Sequence, residues 1–360
     1  MRAYNVEVFS SRFDFITAFT VSDVEYSFDY LNFGVNNIRI ITDSAIMNGD
    51  YIHISGGGDE YFGVVCGVSQ GEEEGTVQIE YKSFLSIFNT DILFDTNRQG
   101  IGTLEAQLKA IIDSLWVNNS DATQNILGLQ VATTTTTLNW GFNLKSDIAE
   151  KHHIICNFYT TFIIRSMEKY GVGIKVTPNF THKKIYLSIG YISDNPIYIE
   201  ADLPNIIKKN VTVRATQFDT NKLIIWNATA DYGESITYYR HTDDTYDTYN
   251  RDRISPVITQ TVAVQSDEDH TFAQLAESQA SETFGSIEYN NLIELSVLPD
   301  DILINPKLLQ YGQKVVVINN GSEYNSMLTG VRIQEGLYTL IFGTVRIDLT
   351  KILQRRQRWQ

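Results

Sequence analysis

The chain has 360 residues, 43% of them hydrophobic and 20% charged, and its 28 Lys and Arg face 43 Asp and Glu for a net charge of −15. That much apolar material excludes a disordered chain and suits roughly two to four domains. The charge excludes attraction of the whole protein to nucleic acid, so DNA meeting it would pass by rather than bind.

The 20 Tyr and 18 Phe, with many Thr and Ile, favour β structure, where such side chains fit a pleated, half-buried surface. Cys66 and Cys156 are the only cysteines and lie far apart, which reads as two free thiols rather than a disulfide or metal site. The first residues, Met1-Arg2-Ala3-Tyr4-Asn5-Val6-Glu7, lack the apolar core of a signal peptide. No stretch reaches the roughly 18 apolar residues of a membrane span, so the expectation is a product of the cytoplasm without membrane insertion.

In chain order, residues 1–94 read as an N-terminal β-barrel domain. Val6 and Val8, Ile16 to Val21, Tyr26 to Tyr30, Ile38 to Ile41 and Tyr51 to Ile54 are short strand candidates separated by Asn, Asp and Gly. Gly56-Gly57-Gly58-Asp59 turns the chain back into Tyr61 to Val68, and the acidic tip Gly71-Glu72-Glu73-Glu74-Gly75 turns it again into Thr76 to Tyr81.

Residues 95–200 change character and read as an α+β insert. Leu104, Leu108, Ile111, Ile112 and Leu115 stand at helical spacing after Gly102-Thr103. Thr133 to Thr137 is a β-branched run that favours an extended edge or linker. Ser146-Asp147 is read as the cap of a second helix reaching about Tyr170, closed by Gly171 and Gly173. A hairpin is expected from Ile174 to Val176 through Thr181-His182-Lys183-Lys184 to Ile185 to Ile189.

Residues 201–350 read as a second β-barrel domain carrying a helix over 267–285. Val211 to Ala215 and Lys222 to Trp226 are strand candidates, and Tyr238 to Arg253 is a polar loop or hairpin dense in Tyr, Asp and Thr. Ser266 followed by Asp267-Glu268-Asp269 reads as an N-cap, Phe272, Leu275, Ala276 and Ala280 share a face, and Gly285 suits the C-terminal stop. A meander follows through Ile293 to Val297, Val315 to Ile318, the turn Asn319-Asn320-Gly321, and Leu337 to Phe342. The last ten positions, 351–360, form a basic tail with Lys351, Arg355, Arg356 and Arg358 and no acidic residue.

A search for chemistry yields no catalytic, cofactor-binding or metal residues. The sequence has no His-Glu-x-x-His helix, no Gly-x-Ser-x-Gly elbow, no Walker loop and no dinucleotide glycine pattern. His152, His153 and Cys156 would share one side of the expected second helix, but their neighbours Ile154, Ile155, Phe158 and Phe162 mark a packing face. Adjacent carboxylates such as Asp243-Asp244 arise without purpose among 43 acidic residues.

Two stretches carry a resemblance. Leu309-Gln310-Tyr311-Gly312-Gln313-Lys314-Val315 with its hairpin, then Leu328-Thr329-Gly330-Val331 and Tyr338-Thr339-Leu340-Ile341-Phe342-Gly343 ahead of Arg346, resembles the last domain of phage tail hub proteins. Asn48-Gly49-Asp50-Tyr51-Ile52, Gly63-Val64-Val65, and Ile79 to Lys82 running into Phe84 to Asn89 resemble the first domain of the same family. That family comprises the N-terminal structural region of tail-associated lysins, related in fold to the T-even baseplate hub.

The resemblance implies a mainly β, multi-domain fold with α+β inserts and two small β-barrel domains built alike. It implies a homotrimer whose six barrel-like units match a six-fold ring of the distal tail protein, with the tape-measure protein inside and a central channel that opens for DNA ejection. On this reading the protein is a virion structural component and not an enzyme. Its hairpin tips and the strands around Gly63 and Gly343 would face partners.

The competing reading is a cell-wall-acting tail lysin or a carbohydrate-binding module, with Tyr238-Tyr239 and Tyr246 to Tyr249 stacking on sugars. The chain runs only about ten residues past the last expected strand, which is expected to leave no room for an appended hydrolase domain.

Overall fold

The computed structural model describes residues 3–22, 24–70, 75–96, 102–136, 153–193, 195–213, 220–229, 233–242, 245–255, 257–265, 271–284, 291–334 and 336–343. It is mainly β. The acidic tip Glu72 to Glu74, the Ser146-Asp147 cap, Asp243-Asp244, the Ser266 to Asp269 cap, Gly285 and the basic tail 351–360 lie outside these residues.

The first region folds as β1 (Tyr4–Phe9), β2 (Phe15–Val21), β3 (Tyr26–Asp29), β4 (Asn36–Ile41), β5 (Tyr51–Gly56), β6 (Asp59–Gln70) and β7 (Thr76–Ser83). Burial alternates along β4, with Asn36, Ile38 and Ile40 inside and Asn37, Arg39 and Ile41 outside, as a sheet with one wet face requires. Six strands pair antiparallel in the order β2-β1-β5-β6-β7-β4. β3 leaves this sheet and pairs with a strand more than 300 positions later.

Next come β8 (Asp91–Asp95), α1 (Leu104–Ile112), β9 (Leu129–Thr133), β10 (His153–Asn157), α2 (Arg165–Tyr170), β11 (Val172–Asn179) and β12 (Lys184–Tyr191). Thr103 caps α1 by accepting from the Ala106 N–H at 3.3 Å, and the helix buries Leu104, Leu108, Ile111 and Ile112. β9 is the edge of a three-stranded sheet, parallel to β12, so the start of the threonine run is indeed an extended edge.

The long second helix is corrected. Residues His153 to Asn157 are a strand paired antiparallel with β8, and helical geometry starts only at Phe158, leading into a wide turn that passes into α2. A short apolar run such as Ile154-Ile155 has no period that separates helix from strand, and pairing with Ile92 to Phe94 decides it. Gly171, in the left-handed region at φ 65°, ends α2 as expected.

The remaining strands are β13 (Ile197–Glu200), β14 (Lys208–Val213), β15 (Lys222–Asn227), β16 (Ser235–Arg240), β17 (Tyr246–Asp247), β18 (Thr259–Val264), β19 (Asn291–Val297), β20 (Lys314–Asn319), β21 (Ser322–Gln334) and β22 (Leu337–Phe342), with α3 (Phe272–Phe284) between β18 and β19. Among the described residues α3 is capped by Thr271 and Gln274. The Gln274 N–H donates to Thr271 Oγ1 at 3.4 Å, and Gln274 Oε1 accepts from the Thr271 N–H at 2.9 Å.

Contacts gather the chain into two compact units that do not follow chain order. Residues 1–212 and 291–360 form one, and residues 213–290, with α3, form the other. The smaller unit is a four-stranded sheet, β17-β16-β15-β18, whose Leu223, Ile225 and Val264 pack against Phe272, Ala276 and Ala280 of the helix.

In the larger unit the C-terminal sheet runs β13-β20-β21-β22-β19-β14, with β3 added against β21. One hydrophobic core joins Val6, Ile52 and Tyr81 of the first sheet to Ile293, Leu340 and Phe342 of the second.

The two sheets share a plan. In the first, the meander β5-β6-β7 is flanked by β1 on one side and β4 on the other; in the second, β20-β21-β22 is flanked by β13 and β19. In both, the flanking strand beside the meander's last member is the one that precedes the meander in sequence. The flanking strands β1 and β13 differ in direction, antiparallel to β5 in one case and parallel to β20 in the other.

Candidate assembly surface

The residues singled out for chemistry do not form a site. His153 and Cys156 stand an odd number of positions apart on β10, so their side chains leave opposite faces of the strand. His152 lies outside the described residues. Cys66 and Cys156 are both free thiols, and burial raises the pKa of each, which works against a reactive thiolate. Among the described residues no three His, Cys, Asp or Glu side chains are grouped to hold a metal ion. Gly57 and Gly58, at φ 58° and 88°, form a tight hairpin tip between β5 and β6, with no helix behind it to bind phosphate.

What the sequence places with most regularity is a repeated turn. Gly49, at φ 93°, donates its N–H to the Val65 carbonyl at 2.9 Å, and the Val65 N–H donates to the Asp50 carbonyl at 2.8 Å. Gly312, at φ 84°, donates to the Leu328 carbonyl at 2.7 Å, and the Leu328 N–H donates to the Gln313 carbonyl at 3.0 Å.

Inside each turn a side-chain oxygen accepts from the backbone three residues earlier. Asp50 Oδ2 takes the Met47 N–H at 2.8 Å, and Gln313 Oε1 takes the Gln310 N–H at 3.3 Å. The middle strand of each meander is then bulged, between Val65 and Gly67 in β6 and between Leu328 and Gly330 in β21. One constant offset in numbering relates all these pairs, from Met47 and Gln310 to Gly67 and Gly330. Ionisation separates the copies: burial holds the Asp50 carboxyl above its ordinary range, against the pull of the Met47 and Ser11 N–H groups, whereas Gln313 carries no charge.

Gly63 and Gly343 themselves are buried, Gly63 in the half of β6 that is paired with both β5 and β7. A Cβ on Gly63 would come within 2.8 Å of the Tyr61 ring, and one on Gly343 would overlap the Asn291 carbonyl. Both glycines therefore serve close packing inside the sheets.

The outer surface of the second sheet is more distinctive. A shallow groove of about 220 Å³ is lined by Lys208, Asn210, Glu294, Ser296, Arg332 and Thr339. Its polar groups largely answer one another: Arg332 Nη2 lies 3.6 Å from Glu294 Oε1, Asn210 Nδ2 donates to Glu294 Oε2 at 3.2 Å, and the Ser296 and Thr339 hydroxyls are 2.9 Å apart. At its rim Lys209 pairs with Asp202, and this bond, with the Asn320 N–H, holds the Asp202 carboxyl below its usual value.

Beyond β19, Leu298, Ile302, Leu303 and Leu308 are exposed, Ile302 at 96%. Their loop is nonetheless ordered by Asp301, whose Oδ1 accepts from the Leu303 and Ile304 N–H groups at 2.9 and 2.6 Å and from Asn205 Nδ2 at 3.0 Å. Aliphatic side chains held out by a hydrogen-bonded loop suit contact with another protein better than isolation in water.

No family model matches the sequence, and no curated protein does. Solved structures share the fold. A tail protein from Neisseria meningitidis is 14% identical, with 95% of this chain and 96% of that one covered at a TM-score of 0.56. The 43 kDa tail protein of prophage MuSo2 from Shewanella oneidensis is 14% identical, with 95% and 97% covered at 0.56. A chain of the phage P2 baseplate in its activated conformation is 14% identical, with 95% and 98% covered at 0.50. The chain thus has the mainly β, multi-domain, hub-like fold of phage tail and baseplate proteins.

Proposed function

We propose that this protein is a structural hub of a phage or prophage tail, a trimer at the virion tail tip that closes the distal end of the tail tube and opens for DNA ejection. The observation that carries the reading is the repeated module: the Gly49 turn with its bulged β6 and the Gly312 turn with its bulged β21 are two versions of one design in one chain. Three chains bearing two such modules present six related units, the number a six-fold ring needs, so the repetition answers a symmetry mismatch.

The partners on this reading are two further copies of the chain, a hexameric distal tail protein against the module ring, and the tape-measure protein within. The ordered aliphatic loop Leu298 to Leu308 is a surface that such assembly would cover. The net charge of −15 supports a channel that DNA slides along by like-charge repulsion, without specific binding. Nothing in this role calls for a catalytic group.

Light scattering on the purified protein tests the reading directly. The expected mass at micromolar concentration is that of three chains, and the expected partner is a purified distal tail protein ring. A single-chain mass across that range, with no capture of the ring and with release of peptidoglycan fragments, would replace the hub with a wall-acting protein.

A further inference from the structure

We propose that the open edge of β6 from Cys66 to Gln70 is completed by an extended strand of a second copy of this chain. The two modules agree in their turn and bulge but differ beside the bulge. In the second module the far half of β21 is paired on both sides. β22 lies along Gly330 to Gln334 on one side, and β3 lies along Gly330 to Ile333 on the other, with Asp29 opposite Gly330 and Tyr26 opposite Ile333. The Tyr30 N–H extends this contact by donating to the Thr329 carbonyl at 2.8 Å. Gly330 is a glycine because β3 comes so close: a Cβ there would stand 2.8 Å from the Phe28 carbonyl.

In the first module the matching stretch, Gly67 to Gln70, pairs with β7 on one side only. Among the described residues its other edge has no backbone partner. The counterparts differ accordingly in exposure. Thr329 is fully buried while Cys66 is exposed, and Ile333 is 3% exposed while Gln70 lies in water. None of Cys66, Gly67, Val68, Ser69 and Gln70 is itself charged, whereas a strand that is to stay unpaired usually carries such charges, and the Glu80 carboxylate beside Gly67 belongs to the paired neighbour β7.

The occupant follows from the repetition. Within one chain a segment of the first module fills the slot of the second. When modules alternate around a closed ring, the second module of one copy stands to the first module of the next as first stands to second within the chain. The vacant slot then faces that neighbouring copy, in a head-to-tail contact of the kind that closes rings, and main-chain hydrogen bonds supply the attachment. This rests on the ring proposed above.

Hydrogen exchange and light scattering on the full chain test it. Wild-type protein is expected to be trimeric, with slot-facing amides among residues 67–70 exchanging at least tenfold more slowly than those of the Gly57-Gly58 tip. Val68→Lys combined with Ser69→Lys is expected to reduce the mass from three chains to one, with the thermal midpoint of the monomer unit retained. A wild-type trimer whose 67–70 amides exchange as fast as the tip overturns the slot and leaves the ring standing, however the variant behaves. A double variant that stays trimeric does the same. A wild-type monomer at all concentrations removes both slot and ring.

Discussion

Gly49 and Gly312 hold the same turn in two modules, yet a methyl group on each would meet different surroundings. Around Gly49 there is open space within 4 Å, whereas a Cβ on Gly312 would lie 2.5 Å from Ile192 Cδ1 and 2.8 Å from Met167 Cγ. Both residues sit at positive φ, so Gly→Ala carries backbone strain at either site, about 1 kcal/mol. Only Gly312→Ala adds overpacking, a further ~1–3 kcal/mol. Urea unfolding followed by tryptophan fluorescence should therefore rank Gly312→Ala clearly below Gly49→Ala. Equal losses would mean that the two turns are not packed as described.

Asp50 and Gln313 make the same bond to a backbone N–H, one with a carboxylate and the other with an amide. Because burial raises the Asp50 pKa, the folded state takes up this proton more readily than the unfolded chain does. The sign is opposite to that of an ion-paired carboxylate: acidification through the folded pKa adds stability at this residue. Asp50→Asn removes the titration and is expected to cost less than about 1 kcal/mol near neutral pH. The stability difference between wild type and Asp50→Asn should shift in favour of wild type as pH falls from about 7 towards about 4. A flat difference across that range would place Asp50 in water rather than in the core.

Tyr159 joins the wide helical turn to the end of β3. Its hydroxyl donates to the Tyr30 carbonyl at 2.8 Å, and the ring is 1% exposed, with its centre 5.7 Å from that of the Tyr30 ring. Tyr159→Phe keeps the shape and leaves a buried carbonyl without its donor, which costs about 1–2 kcal/mol. Since Tyr30 continues the β3 pairing with Thr329, the variant should also speed hydrogen exchange at the Tyr30 amide. Unchanged exchange there, with unchanged stability, would show that the bond does not tie the two elements together.

Local signals were readable in the chain where turn chemistry and period agree. Asn320 and Gly321 do take positive φ between β20 and β21, Gly171 does end a helix, and Leu104, Leu108 and Ile111 do line one buried face. The hidden features are relations across long distances. Nothing near Tyr26 to Asp29 marks a strand that pairs with Gly330 to Ile333 instead of with its neighbours. The threonine run reads as an extended edge or linker, but nothing in it marks the partner of Thr135, whose Oγ1 donates at 2.6 Å to Glu105 Oε1, on a glutamate with no exposed surface. The repeated turn was legible only as two separate glycine-led strand entries, because Asp50 and Gln313, or Val65 and Leu328, share a role without sharing a residue type.

His241 is 3% exposed in the smaller unit, with Nδ1 2.7 Å from the Arg251 carbonyl and Nε2 2.9 Å from Asp247 Oδ1. Both partners only accept, so the ring makes both bonds only when each nitrogen carries a hydrogen, that is, as imidazolium. Burial opposes that charge, but the bonds to Asp247 and Arg251 outweigh it and raise the His241 pKa. Asp247 is held in turn below the usual carboxylate range, against its own burial, by the Tyr249 N–H, by His241 and by Arg251, whose Nη2 lies 2.9 Å away. A folded pKa above the unfolded value of 6.5 gives stabilisation that is complete below 6.5 and lost as pH rises through the folded pKa. Residues 213–290 should therefore unfold more readily at about pH 9 than at about pH 6, and His241→Phe should flatten that slope. In an NMR titration the His241 ring should turn over above 6.5. A midpoint below 6.5 would mean that burial prevails and that the ring is neutral, with one of its two bonds broken.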